Sequence, residues 1–258
     1  MVKKSLTVVI AGILILLSSC TTQKQLTYLQ NVDSIPNGMT YYKQPLEYHI
    51  QNQDILYIKV ISLNNEINDL INSFSSNTSQ NMFQNEVSLY LYGYSVNDSG
   101  YVDVPYIGKV HVLGLTVDTA RDTIMSRVSK SIKNATVIVK LISFKYSVLG
   151  EVKRPGIYKN YNNQLTILEA ISNAGDITDY GNRRKILVIR PTKDRTQTFR
   201  VDLTDNKVLS SEAFFLLPND IVYVEPIKSK IFRVNIPTIT LVLSTISTLI
   251  LVLNFIGP

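Results

Sequence analysis

The last 25 residues of the chain carry no charge: from Val234 to Pro258 there is no Asp, Glu, Lys or Arg. Ile236–Ile256 within it is 21 residues long and 13 of them are apolar. As a helix it would run about 30 Å, the thickness of a bilayer's hydrocarbon core. Pro237 would then fall in the first turn, where its missing N–H does no harm. The polar residues are all small: Thr238, Thr240, Ser244, Thr245, Ser247, Thr248 and Asn254. At about 100° per residue, Thr240, Ser244, Ser247 and Thr248 share one stripe, with Asn254 at its margin. Leu251 and Phe255 interrupt that stripe near the end, and Ile, Leu and Val fill the opposite side. Three readings stay open. The helix is an anchor or packs closely on others, since small residues let helices approach. Or it is a wall element, its apolar face on lipid and its hydroxyls on water or a neighbouring copy. Or it is a core helix of a soluble body. Lys228, Lys230 and Arg233 precede it, where they can meet lipid head groups.

The other end also points to a membrane. Lys3 and Lys4 lead into Leu6–Leu17, a charge-free and mostly apolar run of 12 residues. That is the length of a secretory signal core and too short for an ordinary span. Ser18 and Ser19 then precede Cys20, the only cysteine. Leu-Ser-Ser-Cys resembles the bacterial lipobox, which implies that the Cys20 thiol is lipidated and that the mature chain starts there. Several acyl chains hold a protein on a bilayer where one does so only marginally. The other reading is a buried cysteine behind a plain signal peptide. With residues 1–19 removed, 239 residues remain and the formal net charge falls from +6 to +4. That length holds one large domain or two small ones. The basic clusters, Lys228–Arg233 and Arg183–Lys185, are too short for a nucleic-acid surface.

Thr21–Pro45 is polar and irregular and reads as a tether. Ile50 closes a short strand, Asn52–Asp54 is turn chemistry, and Leu56, Ile58 and Val60 alternate as a second strand. Asn64–Asn85 is an Asn- and Ser-rich excursion, with a short helix expected around Ile67–Phe74. Asn97–Gly100 is a hairpin signal between alternating strands. Lys109–Val112 continues as a strand that Gly114 ends. Thr116 caps a helix with Val117, Ala120, Ile124 and Val128 on its inner face. Thr136–Ile142 is a further strand. A second unit opens with Val148–Val152 and a Pro155-Gly156 turn. Thr166 and Glu169 form a capping box, and Gly175 stands where a helix C-terminal glycine belongs. Lys185–Arg190 is a strand, and Leu217–Pro226 is a turn and a closing strand. The fold class is α+β.

Five of these segments, in this order and spacing, resemble the Wza-type outer-membrane polysaccharide export lipoproteins. They are Gln53–Leu56 after Tyr48; Gly93 through Pro105, Gly108 and Gly114–Thr116; Val148–Val152 with Arg154–Gly156; Thr166–Gly175; and Leu217–Pro226. The motif residues are Asp54, Gly93, Pro105, Gly108, Gly114, Gly150, Pro155, Gly156, Gly175, Pro218 and Asp220. The resemblance implies a leader at 1–19, a lipidated tether at 20–45, an export domain at 46–144, a β-grasp (SLBB-like) module at 145–226 and a spanning amphipathic helix at 227–258. It implies rings, commonly octameric, whose terminal helices form an α-helical barrel in the outer membrane, over a body in the periplasm. It favours the wall reading of the tail, with Thr240, Ser244, Ser247, Thr248 and Asn254 lining the pore or packing helix on helix. It also implies a polysaccharide substrate and an inner-membrane co-polymerase partner. Larger members carry two β-grasp modules and this chain has room for one, so a shorter ring is expected.

No catalytic constellation stands out. His49 and His111 are the only histidines and lack metal-ligand spacing. Asp98 and Asp103 flank a hairpin, Glu151 and Glu169 read as structural, and Asp220 sits in a turn. No phosphate loop and no Gly-x-Ser-x-Gly occurs, so neither a catalytic residue, a metal nor a cofactor is expected. The rival to a channel is a doubly anchored periplasmic lipoprotein that binds glycan or scaffolds another complex.

Overall fold

The computed structural model describes residues 26–31, 47–64, 68, 72, 92–192 and 195–256, with the side chains at 231–239, 250, 253, 254 and 256 excepted. The leader, Cys20 and most of the 64–85 excursion lie outside these residues. Two cores organise the chain, and Leu141 packs against both.

The first core is built on strand β1 (Ile55–Ile61), whose Leu56, Ile58 and Val60 are fully buried in the alternation read from sequence. β1 pairs antiparallel along its length with β5 (Thr136–Leu141). On its other edge, β2 (Tyr94–Ser95) covers only Ile55 and Leu56. Side chains close the rest of that edge. Asn72 receives the Val60 N–H at 3.2 Å and donates to the Val60 carbonyl at 2.7 Å. One helical turn earlier Asn68 does the same for Ser62, at 2.6 and 2.9 Å. A primary amide matches a peptide group donor for acceptor, so the two asparagines continue the ladder that β2 leaves off.

Strands β3 (Tyr101–Val104) and β4 (Gly108–His111) form the hairpin. This corrects the sequence reading. Asn97–Gly100 is a turn, with the Gly100 N–H donating to the Asn97 carbonyl at 2.9 Å, but β2 before it pairs with β1 and not with β3. The hairpin bends instead at Pro105–Ile107, where Tyr106 is left-handed at φ 64. Ile50 is also not in a strand: it is buried and exchanges single backbone bonds with Leu115 and Gly114, each at 2.9 Å. Helix α1 (Val117–Val128) is capped by Thr116, whose hydroxyl accepts from the Thr119 N–H, and it buries Ala120, Ile124 and Val128.

The second core lies under a five-stranded mixed sheet, ordered β7-β6-β10-β8-β9. Its strands are β6 (Lys145–Gly150), β7 (Gly156–Lys159), β8 (Gly181–Pro191), β9 (Thr196–Val201) and β10 (Ile221–Pro226). First and last strands, β6 and β10, run parallel at its centre. Helix α2 (Ile167–Asn173) lies on this sheet and starts with the expected capping box, Glu169 accepting from the Thr166 N–H at 2.7 Å. β9 and a 3-10 turn at Asn206–Ser210 were not legible in sequence. Neither was the docking of the tether: Leu29 and Gln30 donate to the carbonyls of Leu203 and Thr204 at 3.0 and 2.7 Å, and Tyr28 lies 5.3 Å from the Arg183 guanidinium. The described part of the tether therefore reaches the second unit, although the first follows it in sequence.

Helix α3 runs Lys228–Ile256, 29 residues. It starts at the head of the expected 227–258 segment and eight residues before the apolar run at Ile236, so Pro237 is interior and not in the first turn. A proline there has no N–H for the carbonyl four residues back, which opens one rung of the helix ladder.

Candidate functional site: the domain junction and the base of the terminal helix

Four of the motif residues, Asp54, Gly150, Pro218 and Asp220, fall in three tight polar joints. The first ties the two units together. Asp54 ends the turn before β1 and is 5 % exposed. Its carboxylate accepts from the Tyr48 hydroxyl at 2.8 Å, the Gln51 N–H at 2.9 Å and the Ser143 hydroxyl at 3.1 Å. Ser143 Oγ in turn accepts from the Ile55 N–H at 3.1 Å. Burial pushes the Asp54 carboxyl up, against the pull of these three donors, and burial with the adjacent carboxylate pushes the Tyr48 phenol well above its usual range. Tyr48 therefore stays a donor at neutral pH, and the three donors favour the carboxylate form of Asp54 against its burial. Ser143 stands between β5 and β6, on the passage from one core to the other, so the joint fixes where the second unit leaves the first. The sequence pointed to Asp54 and missed Ser143, which lies 89 residues away.

The second joint holds the base of α3. Gly150 ends β6 with φ +86, and a Cβ built there would stand 2.2 Å from the Val224 carbonyl oxygen. Only glycine allows β6 to run this close to β10, and the contact sets Glu151 at the sheet end. Glu151 accepts from the Thr178 hydroxyl at 2.9 Å and pairs with Lys230 in the first turn of α3. The Lys230 ammonium holds the Glu151 carboxyl below its ordinary value. Lys230 thus faces a carboxylate, which corrects its assignment to lipid head groups. Gly150→Ala combines a left-handed backbone with backbone overlap and should cost about 2–5 kcal/mol. A urea midpoint within error of wild type would contradict the close approach.

The third joint is the turn into β10. Pro218 and Asn219 form it, with Asn219 at φ 69 and the Asp220 N–H donating to the Leu217 carbonyl at 3.1 Å. Asp220 is more than a turn residue. It is fully buried and holds the Arg190 guanidinium with Nε at 3.0 and 3.2 Å and Nη2 at 2.8 Å. Its Oδ2 also accepts from the Leu217 N–H at 2.9 Å. Arg190 was not singled out in sequence, because nothing local marks it as the partner.

The remaining motif residues shape turns. Pro105 is in the β3–β4 turn, Gly108 opens β4, and Gly114 donates its N–H to the Ile50 carbonyl at 2.9 Å. Pro155 and Gly156 turn the chain into β7, where the Arg154 N–H reaches the Ala174 carbonyl at 2.9 Å. Gly175, at φ +78, ends α2 as expected. Gly93 lines a cleft of about 420 Å³ with Tyr57, Tyr161 and Lys140, at the meeting of the two units. His49 Nδ1 lies 3.0 Å from the Gly114 carbonyl and His111 packs edge-on against Tyr101.

On α3, Thr240, Ser244, Ser247 and Thr248 are all exposed, as are Leu241, Leu243, Leu249 and Phe255. The Asn254 side chain lies outside the described set. The Ser244, Ser247 and Thr248 hydroxyls donate to the carbonyls of Leu241, Leu243 and Ser244 at 2.8–2.9 Å. Each proton is used within the helix, and each oxygen keeps lone pairs outward. Among the described residues no helix is long and apolar enough to cross a membrane.

A small sheet-and-helix domain joined through one polar network to a β-grasp module is the class of protein that these joints define. Residues 43–142 match the family model described as polysaccharide biosynthesis/export protein, and residues 144–224 match that of the SLBB domain. Ser143, the hinge of the first joint, is the single residue between them. Both matches support the resemblance to the Wza-type polysaccharide export proteins read from the sequence. It is 30 % identical over 145 residues to the EPS I polysaccharide export outer membrane protein EpsA of Ralstonia solanacearum, covering 54 % of this chain and 38 % of that one. To the protein of the same name from Ralstonia nicotianae it is 32 % identical over 108 residues, covering 40 % of this chain and 28 % of the relative. The chain spans well under half the length of either relative.

Proposed function

We propose that this chain is an outer-membrane lipoprotein, anchored through Cys20, whose copies close into a ring that exports extracellular or capsular polysaccharide. In this reading α3 crosses the outer membrane and its copies form the wall of the conduit, with an inner-membrane co-polymerase feeding the body from below. The observation that carries it is the order of parts: export domain, SLBB domain, then a helix that is uncharged beyond Arg233 and held to the second sheet through Glu151 and Lys230. The names of both relatives, polysaccharide export outer membrane proteins, support it.

The mechanism is conduction without bond chemistry. A hydrated glycan cannot partition into hydrocarbon, and one helix cannot enclose water. Several helices can, because each satisfies its own backbone. The hydroxyl oxygens of Thr240, Ser244, Ser247 and Thr248 then accept from sugar hydroxyls one at a time. Contacts this weak suit a path that must release what it binds.

A second reading, the doubly anchored glycan-binding or scaffolding lipoprotein, is favoured by one observation: the bonds from Ser244, Ser247 and Thr248 to their own helix let α3 sit alone in lipid. Electron microscopy of the purified full chain in mild detergent separates the two. Rings with closed rotational symmetry and a central bundle of helices are expected. A monodisperse monomer would overturn the conduit.

A further inference from the structure

Away from all three joints, the first domain has a groove of about 740 Å³ between the outer face of the β3–β4 hairpin and one side of α1. We infer that this groove binds an acidic segment of the exported polysaccharide, its carboxylates held by Lys109, Arg127 and Lys130 and a sugar face set against Tyr101. The inference rests on the export reading and adds a substrate class and a site to it.

The groove has two walls. Val102, Val104 and Val110 turn into the core, so Tyr101, Asp103, Lys109 and His111 stand on the outer face of the hairpin. On α1, Ala120, Ile124 and Val128 are buried, which leaves the adjacent stripe of Thr119, Asp122, Thr123, Ser126 and Arg127, extended by Lys130, turned to the groove. That stripe has no apolar residue, so it is not a core face awaiting a partner helix. Three cations, Lys109, Arg127 and Lys130, line the space, and among the described residues none of their side chains has an ion pair. The single carboxylate at the wall, Asp122, is taken by Arg121, which bonds it through Nε at 3.0 Å and Nη2 at 2.9 Å. Asp103 stands opposite Lys109 in the hairpin register but does not line the groove. The balance is cationic and calls for an anion.

The shape narrows the choice. Tyr101 and His111 pack edge to face, with centroids 4.9 Å apart and planes at 74°, so one supports the other. A supported aromatic ring beside serine and threonine hydroxyls and amine donors suits a pyranose carrying a carboxylate. An open groove admits a chain passing through, which a closed pocket would not. Exposed contacts of this kind are individually weak and salt-sensitive, as transit requires.

The test uses the purified full chain in detergent, with alginate oligosaccharides as the polyuronate, dextran oligosaccharides as the neutral glycan and inorganic phosphate as the bare anion. Calorimetry is expected to show alginate binding that weakens as salt is raised, with much weaker binding of dextran and phosphate. The triple variant Lys109→Gln/Arg127→Gln/Lys130→Gln should bind alginate on the order of tenfold more weakly, and Tyr101→Ala should also lose affinity. All four side chains are exposed, so unfolding midpoints should stay near wild type. Equal binding of alginate and dextran, equal binding of phosphate, or an unaffected triple variant would each overturn the proposal. A triple variant that changes oligomeric state would also overturn it, by making the groove a contact between copies. A chain that supports export in cells yet does not bind alginate overturns the groove alone. One that binds alginate yet supports no export overturns the export reading alone.

Discussion

Removing residues 238–258 should abolish appearance of the polysaccharide at the cell surface while the truncated chain stays folded and membrane-bound. The body does not depend on that segment. The second core ends at Val224, and the described contact that fixes α3, Lys230 with Glu151, lies before the cut. Urea unfolding of the truncated body should therefore match that of the full chain. In the proposed reading the lipid at Cys20 keeps it in the membrane fraction, since several acyl chains suffice for that without a helix. In the proposed conduit, what is lost is the wall, and with it any water-filled path through the hydrocarbon. Surface staining and cell-associated polysaccharide, measured together, are the readouts. Export at the wild-type level would refute the conduit and favour the binding-module reading.

A substitution makes the same argument without shortening the chain. Replacing Thr240, Ser244, Ser247 and Thr248 by Leu keeps an apolar helix of the same length. An anchor tolerates that change and even gains apolar area. A conduit wall does not, because a leucine-lined bore excludes sugar and its water. Leu251 and Phe255 already narrow the stripe near the outer end, and Phe255 is 91 % exposed in the isolated chain.

Sequence was most informative where local physics decides. The alternation of Leu56, Ile58 and Val60, the capping box of Thr166 and Glu169, the left-handed Gly175 and the inner face of α1 all depend on neighbours within a few residues. It was least informative where partners are distant. Asp54 stands out as a turn residue, but nothing beside it names Ser143. Asp220 likewise looks like the end of a Pro-Asn turn, because its partner Arg190 is 30 residues earlier on another strand. The hairpin was misplaced for a related reason. Asn97–Gly100 has turn chemistry and turns, but strand pairing is settled by which apolar faces meet, and β2 meets β1. α3 starts eight residues before the apolar run at Ile236, because charge marks the edge of a hydrophobic run and not of a helix.

The largest loss of stability should come from Arg190→Ala, about 3–5 kcal/mol, out of roughly 5–15 for a domain of this kind. The pair is nearly closed to water, with side-chain exposures of 6 % and 0 %. Removing the guanidinium leaves Asp220 a buried charge whose other described donor is the Leu217 N–H, and it strips the Phe215 carbonyl of a donor at 3.0 Å. In the wild type, burial pushes the Asp220 carboxyl up and Arg190 pulls it back. In the variant the upward push of burial is opposed by the Leu217 N–H alone. A carboxyl with a raised folded-state pKa contributes stability that is full below its unfolded value and lost as pH rises through the folded one. The deficit of Arg190→Ala should therefore be small in acid and grow towards neutral pH. Arg190→Met/Asp220→Asn removes both charges and keeps an acceptor for the Leu217 N–H, so it should lose less than Arg190→Ala alone. A deficit independent of pH, or a double variant worse than the single, would show that the two side chains do not act as a pair. The consequence reaches beyond stability. Asp220 immediately precedes β10, and β10 leads into α3 at Lys228. A loosened β10 leaves the helix without a fixed direction, so export should fail at temperatures where the first domain is still folded.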